Sequence, residues 1–196
     1  MSFRRLIAAA CVALIPSLAA GQPAAQPAGQ PAAGTPVQPS AMTVLVLPPD
    51  AAGKPFPYTV AVPAGWKIHQ VKDVPGVFLG PADAAAPNDP RLVYVRLSPT
   101  PMTDPQKTAE NIRAADAAQP WSAPFVEPRE VNGIPAVLLR MDSGEGDQAR
   151  STLVLKLPAE KGGVDLLGSA PRAEFAKLLP VFQKVLFSVR RAGEAQ

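Results

Sequence analysis

Near the end of the chain the apolar side chains Phe175, Leu178, Leu179, Phe182, Val185, Leu186 and Val189 follow an i, i+3, i+4, i+7 spacing. That spacing lines up one continuous face on an α-helix. Arg172, Glu174, Lys177, Gln183 and Lys184 take the opposite face. Ser169 or Ala170 followed by Pro171 predicts the entry, because proline at the first helical position gives up an N–H that has no intrahelical partner. Pro180 predicts a kink, or two short helices in place of one rod, since it removes an internal hydrogen bond and crowds the preceding turn. Directly upstream, residues 164–170 read as a buried strand. A one-sided helix fed by such a strand needs a sheet to lie on.

The upstream pattern supplies that sheet. Residues 43–47 are a short β-type run stopped by Pro48 and Pro49, and residues 56–62 alternate, with Tyr58, Val60 and Val62 on one face. The turn at Pro63-Ala64-Gly65 leads into residues 66–71, where Trp66 and Ile68 share a face opposite Lys67 and His69. Residues 76–80 continue the meander, residues 81–90 are a proline-punctuated loop, and residues 91–97 form another strand. A helix over residues 107–118 begins with Asp104 as cap and Pro105 in the first turn. Its apolar seam is thin, consisting of Ala109, Ile112, Ala115 and Ala118, and Pro120 ends it. Trp121 falls in the loop that follows. Residues 125–131 and 134–141 flank Asn132-Gly133, a strong hairpin signal because both turn residues accept positive φ. Residues 151–157 point Leu153, Leu155 and Leu157 inward, and residues 160–163 turn the chain into the strand at 164–170. Such short links predict an antiparallel sheet.

The first forty residues follow another pattern. A basic start with Arg4 and Arg5, an apolar run over residues 6–15 and small residues around Ala19 and Ala20 make up a three-part secretory signal. Residues 21–41 repeat Gln-Pro-Ala with no charge and no large apolar side chain, and so read as a linker that buries too little surface to fold. The expected organisation is a signal over residues 1–20, a linker over 21–41 and one domain over 42–196. No segment of the mature part approaches the ~20 consecutive apolar residues of a membrane span. The single cysteine, Cys11, lies inside the signal, in surroundings that match a lipoprotein box poorly, so a disulfide-free and unlipidated chain is expected in the periplasm or outside the cell. The 19 basic and 16 acidic residues give +3, which falls to +1 once Arg4 and Arg5 are removed. With no basic cluster and 6% aromatic residues, the composition gives no footing for nucleic acid as a partner.

Several motifs together carry a family resemblance: Tyr58-Thr-Val-Ala-Val-Pro-Ala-Gly-Trp66, Gly76-Val-Phe78, Val131-Asn-Gly-Ile-Pro-Ala136, Leu166-Leu-Gly168 and Phe182-Gln-Lys-Val-Leu-Phe-Ser-Val189. Over residues 56–190 the chain resembles the PsbP-like superfamily, which includes oxygen-evolving-complex PsbP proteins, Ran-binding MOG proteins and exported bacterial DcrB-like proteins. The resemblance implies an α/β/α sandwich around an antiparallel sheet, in line with the α+β reading of the pattern. These are packing and turn motifs, and the superfamily shares no common reaction, so the resemblance assigns no site.

Candidate chemistry is sparse. His69 is the sole histidine, and a hydrolytic dyad would have to pair it with Ser169 at the strand-to-helix turn. The flanks of Ser169 do not form Gly-x-Ser-x-Gly, so Ser169 reads as a helix cap and His69 as a solvated strand residue. Asp142, Glu145 and Asp147 gather in a hairpin turn without the spacing of a calcium loop and read as solvated. Neither a cofactor nor a metal is expected, and no catalytic set. Trp121 and His69 remain as the candidate binding anchors, with Trp121 read first as closing the edge of the core. The expected function is an exported, non-catalytic binding or accessory protein of the cell envelope whose partner is another envelope protein. The alternatives are a carrier holding a small apolar ligand between the sheet and the C-terminal helix, and an unusual serine hydrolase.

Overall fold

A computed structural model describes residues 41–49, 53, 55–116, 121–160 and 162–193, all within the compact unit Gln38–Gln196. The signal, Cys11 and the linker up to residue 40 lie outside the described residues, as do Ala118 and Pro120. In chain order the elements are β1 (Met42–Val46), β2 (Tyr58–Pro63), β3 (Trp66–His69), β4 (Val77–Pro81), β5 (Val93–Ser98), α1 (Pro105–Asp116), β6 (Trp121–Val131), β7 (Ile134–Ser143), β8 (Arg150–Pro158), β9 (Gly163–Pro171), α2 (Arg172–Leu186) and β10 (Arg190–Arg191). The fold is α+β, as the pattern predicts. Its strands divide between a seven-stranded sheet ordered β3-β4-β5-β9-β8-β7-β6 and a three-stranded sheet ordered β1-β2-β10. Among the described residues every strand pairing is antiparallel.

The division into two sheets corrects the single sheet expected from the pattern. Gly65, with φ +84, turns the chain at the end of β2, but β2 pairs with β1 and β10 while β3 pairs with β4. The strand contents follow their alternation all the same. Tyr58, Val60 and Val62 are buried on one side of β2. They meet Val93 and Val95 of β5, Leu153, Leu155 and Leu157 of β8, and Phe175, Phe182, Val185 and Leu186 of α2 in one large cluster. Burying that many branched and aromatic side chains, at roughly 1.5–3 kcal/mol each, makes this face the main source of stability. The other face carries a much smaller cluster beneath α1: Met102, Ala109, Val126, Val137, Leu139 and Val154. The seven-stranded sheet thus lies between α1 on one side and α2 with the small sheet on the other.

Helix α2 is one element rather than two. Pro180 sits inside it, on the exposed side, where water can serve the carbonyl that the missing N–H leaves free. Pro171 is the cap residue, with φ −49 and ψ 139, so the helix begins at Arg172, one residue later than the pattern predicts. Helix α1 starts as read, with the amides of Gln106 and Lys107 donating to Asp104 Oδ1 at 2.8 and 3.2 Å. The Asn132-Gly133 turn has φ 50 and 75, both positive as the two-residue hairpin requires. Asn132 also donates through Nδ2 to the carbonyls of Phe187 and Val189, at 2.9 and 2.8 Å, tying the hairpin to the end of α2.

Candidate functional site

The residues singled out from sequence do not form one site. His69 lies on β3 and Trp121 on β6, the two edge strands of the seven-stranded sheet. Six strand spacings separate them, about 28 Å at ~4.7 Å per strand. The His69 ring donates from Nε2 to the Pro81 carbonyl at 2.9 Å, which makes it a half-buried strand side chain fastened across the β3–β4 pair rather than a solvated one. Ser169 lies three strand spacings from His69, about 14 Å, so the dyad is out of hydrogen-bond reach. The Ser169 hydroxyl accepts from Arg150 Nε at 3.2 Å and from Thr152 Oγ1 at 2.9 Å. Nor does Ser169 cap α2: β9 runs on to Pro171, and no side chain caps that helix. The acidic turn also differs from its reading. Asp142 belongs to β7, where Arg140 Nε donates to it at 3.0 Å and the Ser151 hydroxyl at 2.7 Å. Burial pushes its carboxyl pKa up, but the Ser151 and Arg140 hydrogen bonds outweigh this and hold it below the ordinary carboxylate value. Glu145 and Asp147 are exposed.

Trp121 is not in a loop. It opens β6 opposite Ser143, and a register irregularity follows between Ser122 and Phe125. It is half-buried and lines a groove of about 330 Å³ between α1 and the seven-stranded sheet. The groove exists because the seam of α1 is thin. Ala109 is fully buried against the sheet, Ile112 is half-buried, and Ala115 is exposed with nothing large to fill the space beside it. The floor follows from strand register. Leu167 of β9 stands opposite Val154 of β8, and Val154 stands opposite Leu139 of β7, so three apolar side chains cross the sheet in one row.

The next row along the strands is charged. Arg96 of β5 and Lys156 of β8 both stand opposite Asp165 of β9. Lys156 Nζ lies 2.6 Å from Asp165 Oδ1, and Arg96 Nε and Nη2 both lie 3.3 Å from Oδ2. The Asp165 side chain is 3% exposed, that of Lys156 17% and that of Arg96 47%. A buried carboxylate needs a partner, because an unpaired charge in the interior is costly. Here it has two, which leaves one formal positive charge at this end of the groove. Sequence reading passed over the triad, although each strand carries its charge among apolar neighbours: Arg96 between Val95 and Leu97, Lys156 between Leu155 and Leu157, Asp165 between Val164 and Leu166. A second hollow, about 640 Å³, lies between Pro49, Phe56 and residues 70–77; Gln70 also lines it, and Lys72 is its only charged lining residue.

Among the described residues no helix is long and apolar enough to cross a membrane, and no group of three or more His, Cys, Asp or Glu is placed to hold a metal ion. No family model matches the chain, and no curated protein matches it. Among solved structures it is similar to LpqN, involved in cell envelope biogenesis of Mycobacterium tuberculosis, at 16% identity and TM-score 0.45, over 78% of this chain and 85% of that one. It is similar to a protein of Bacteroides thetaiotaomicron VPI-5482 at 6% identity and TM-score 0.48, over 78% of this chain and 49% of that one. It is also similar to cyanobacterial PsbP (CyanoP) from Synechocystis sp. PCC 6803 at 16% identity and TM-score 0.49, over 80% of this chain and 96% of that one.

Proposed function

We propose that the protein is an exported, non-catalytic binding protein with an accessory role in the cell envelope, and that it binds at the groove beside α1. The groove itself carries the reading. It combines an apolar floor, a half-buried tryptophan at its rim and a charged row at one end, the mixture of large apolar surface and few placed polar groups that ligand sites share. The basic, apolar and small-residue segments of the first twenty residues support export. The distance between Ser169 and His69 speaks against the hydrolase alternative. Of the two binding alternatives, the groove favours the carrier of a small ligand, at a different place from the one first expected: beneath α2, Phe182 lies directly against Gly168 and fills the space.

Native mass spectrometry of the protein released gently from its own envelope tests the proposal. An added mass is expected. A small one identifies a carried ligand, and a protein-sized one identifies an envelope partner seated on the same face. A bare mass that also yields no crosslinked product from intact cells overturns the binding reading. Ester, phosphate or peptide hydrolysis by the purified protein, lost in His69→Ala, overturns its non-catalytic part.

A further inference from the structure

The charged row and the apolar row lie side by side on the same face of the sheet. Arg96, Asp165 and Lys156 cross three neighbouring strands in register, and Leu167 and Val154 stand two residues along the same strands. At roughly 3.4 Å per residue, the cationic end and the apolar floor are about 7 Å apart. An occupant must satisfy both at once. A purely apolar molecule would leave the surplus cation facing hydrocarbon, and a cationic one would be repelled by it.

The surplus charge belongs mainly to Arg96. Lys156 holds the shorter contact, 2.6 Å, and is the more buried of the two cations. Arg96 touches Asp165 at 3.3 Å, is 47% exposed and lines the groove. A guanidinium presents five donors in a planar fork and recognises a carboxylate in bidentate fashion. The α1 wall offers Asn111, Ile112 and Ala115, none charged. The lining therefore holds two cations and a single anion, Asp165, which is already engaged. The volume of about 330 Å³ is at the small end of ligand pockets, which span about 300–1,000 Å³, so it suits one short chain rather than two.

We infer that the groove is a binding site for a free single-chain amphiphile with an anionic, carboxylate-type head. The head lies on Arg96 at the Asp165–Lys156 end, and the tail runs over Leu167, Val154 and Leu139 toward Trp121. This inference rests on the binding reading above and gives it a ligand class.

The test uses the full chain carrying Trp66→Phe, which leaves Trp121 as the sole tryptophan of the two in the sequence. Decanoate, decanol and decyltrimethylammonium are titrated in turn while Trp121 emission is followed. Decanoate is expected to saturate with a blue shift, decanol to bind about tenfold or more weakly, and decyltrimethylammonium more weakly still. Arg96→Gln is expected to weaken decanoate about tenfold and leave decanol unchanged. Ala115→Phe, at an exposed position on the groove wall, is expected to abolish binding of both, with an unaltered circular dichroism spectrum. Equal binding of all three probes overturns the inference. So does decanoate binding that ignores both substitutions, or attachment to anionic phospholipid vesicles without binding of free decanoate. If decanoate fails while the native spectrum carries an added mass, the ligand class falls and the binding reading stands. A bare, uncrosslinked protein removes both.

Discussion

Gly168 sits in the middle of β9 with the fully buried ring of Phe182 lying against it. A methyl group added there would come within 2.6 and 2.7 Å of the Phe182 Cδ1 and Cδ2 atoms, and closer still to Cγ. Neither the ring nor the strand has room to yield, because both belong to the main core. Gly168→Ala is therefore expected to lower stability by about 1–3 kcal/mol in urea denaturation, the cost of overpacking a filled core. Phe182→Leu should recover part of that loss in the double variant; simple additivity of the two substitutions would refute the packing account. Asp89 makes a different kind of residue-level case. The Arg91 side chain donates to it from Nε at 2.9 Å and from Nη2 at 2.7 Å, and the Arg91 amide at 2.9 Å. These bonds, opposed by burial, bring its carboxyl down to about 2. A carboxyl whose pKa is depressed on folding adds stability above its unfolded value, near 3.9, and loses it as pH falls through the folded value. The stability difference between the unaltered protein and Asp89→Asn should thus be constant above about pH 5 and shrink between about pH 4 and pH 2. A difference that persists unchanged to pH 2 would rule this out.

At the level of elements, the legible features were those written as local periodicity. The alternation of Tyr58, Val60 and Val62, the Asn132-Gly133 turn and the apolar face of α2 each need only a few neighbouring residues to show themselves. The reading that failed concerned the position beside a proline. Pro120 led to a loop at Trp121, yet β6 begins there, because an edge strand tolerates Pro124 and Pro128 where its free side needs no donor. Pro180 left open a kink or two short helices; α2 forms as one element, because the apolar residues before and after Pro180 pack on one core. The strain should still be there to recover. Pro180→Ala restores the amide and removes the crowding, and is expected to raise stability by about 1–3 kcal/mol, seen as a higher urea midpoint with an unchanged slope. An unchanged midpoint would mean that tertiary packing has already absorbed the cost.

For the whole molecule, the decisive arrangement was invisible along the chain because it depends on which strands become neighbours. β5 and β9 are separated by α1 and three strands in sequence, yet they pair, and only that pairing sets Arg96 beside Asp165. A charge alone among apolar residues hints that a partner exists, but not where. The same topology loads the two faces of the sheet unequally. The face toward α2 carries the large cluster, and α1 rests on a much smaller one with a groove beside it. Segments with few buried apolar contacts open at lower free energy than the global transition. Amides in α1 should therefore exchange with solvent at least about tenfold faster than those in β8 and β9, through an opening that leaves α2 closed. A ligand in the groove touches α1 as well as the sheet, so saturating decanoate should slow exchange in α1 much more than in α2. Equal protection of both helices without ligand would mean that the sheet and α1 unfold as one unit, and the groove would then be a fixed cleft rather than one that α1 opens and closes.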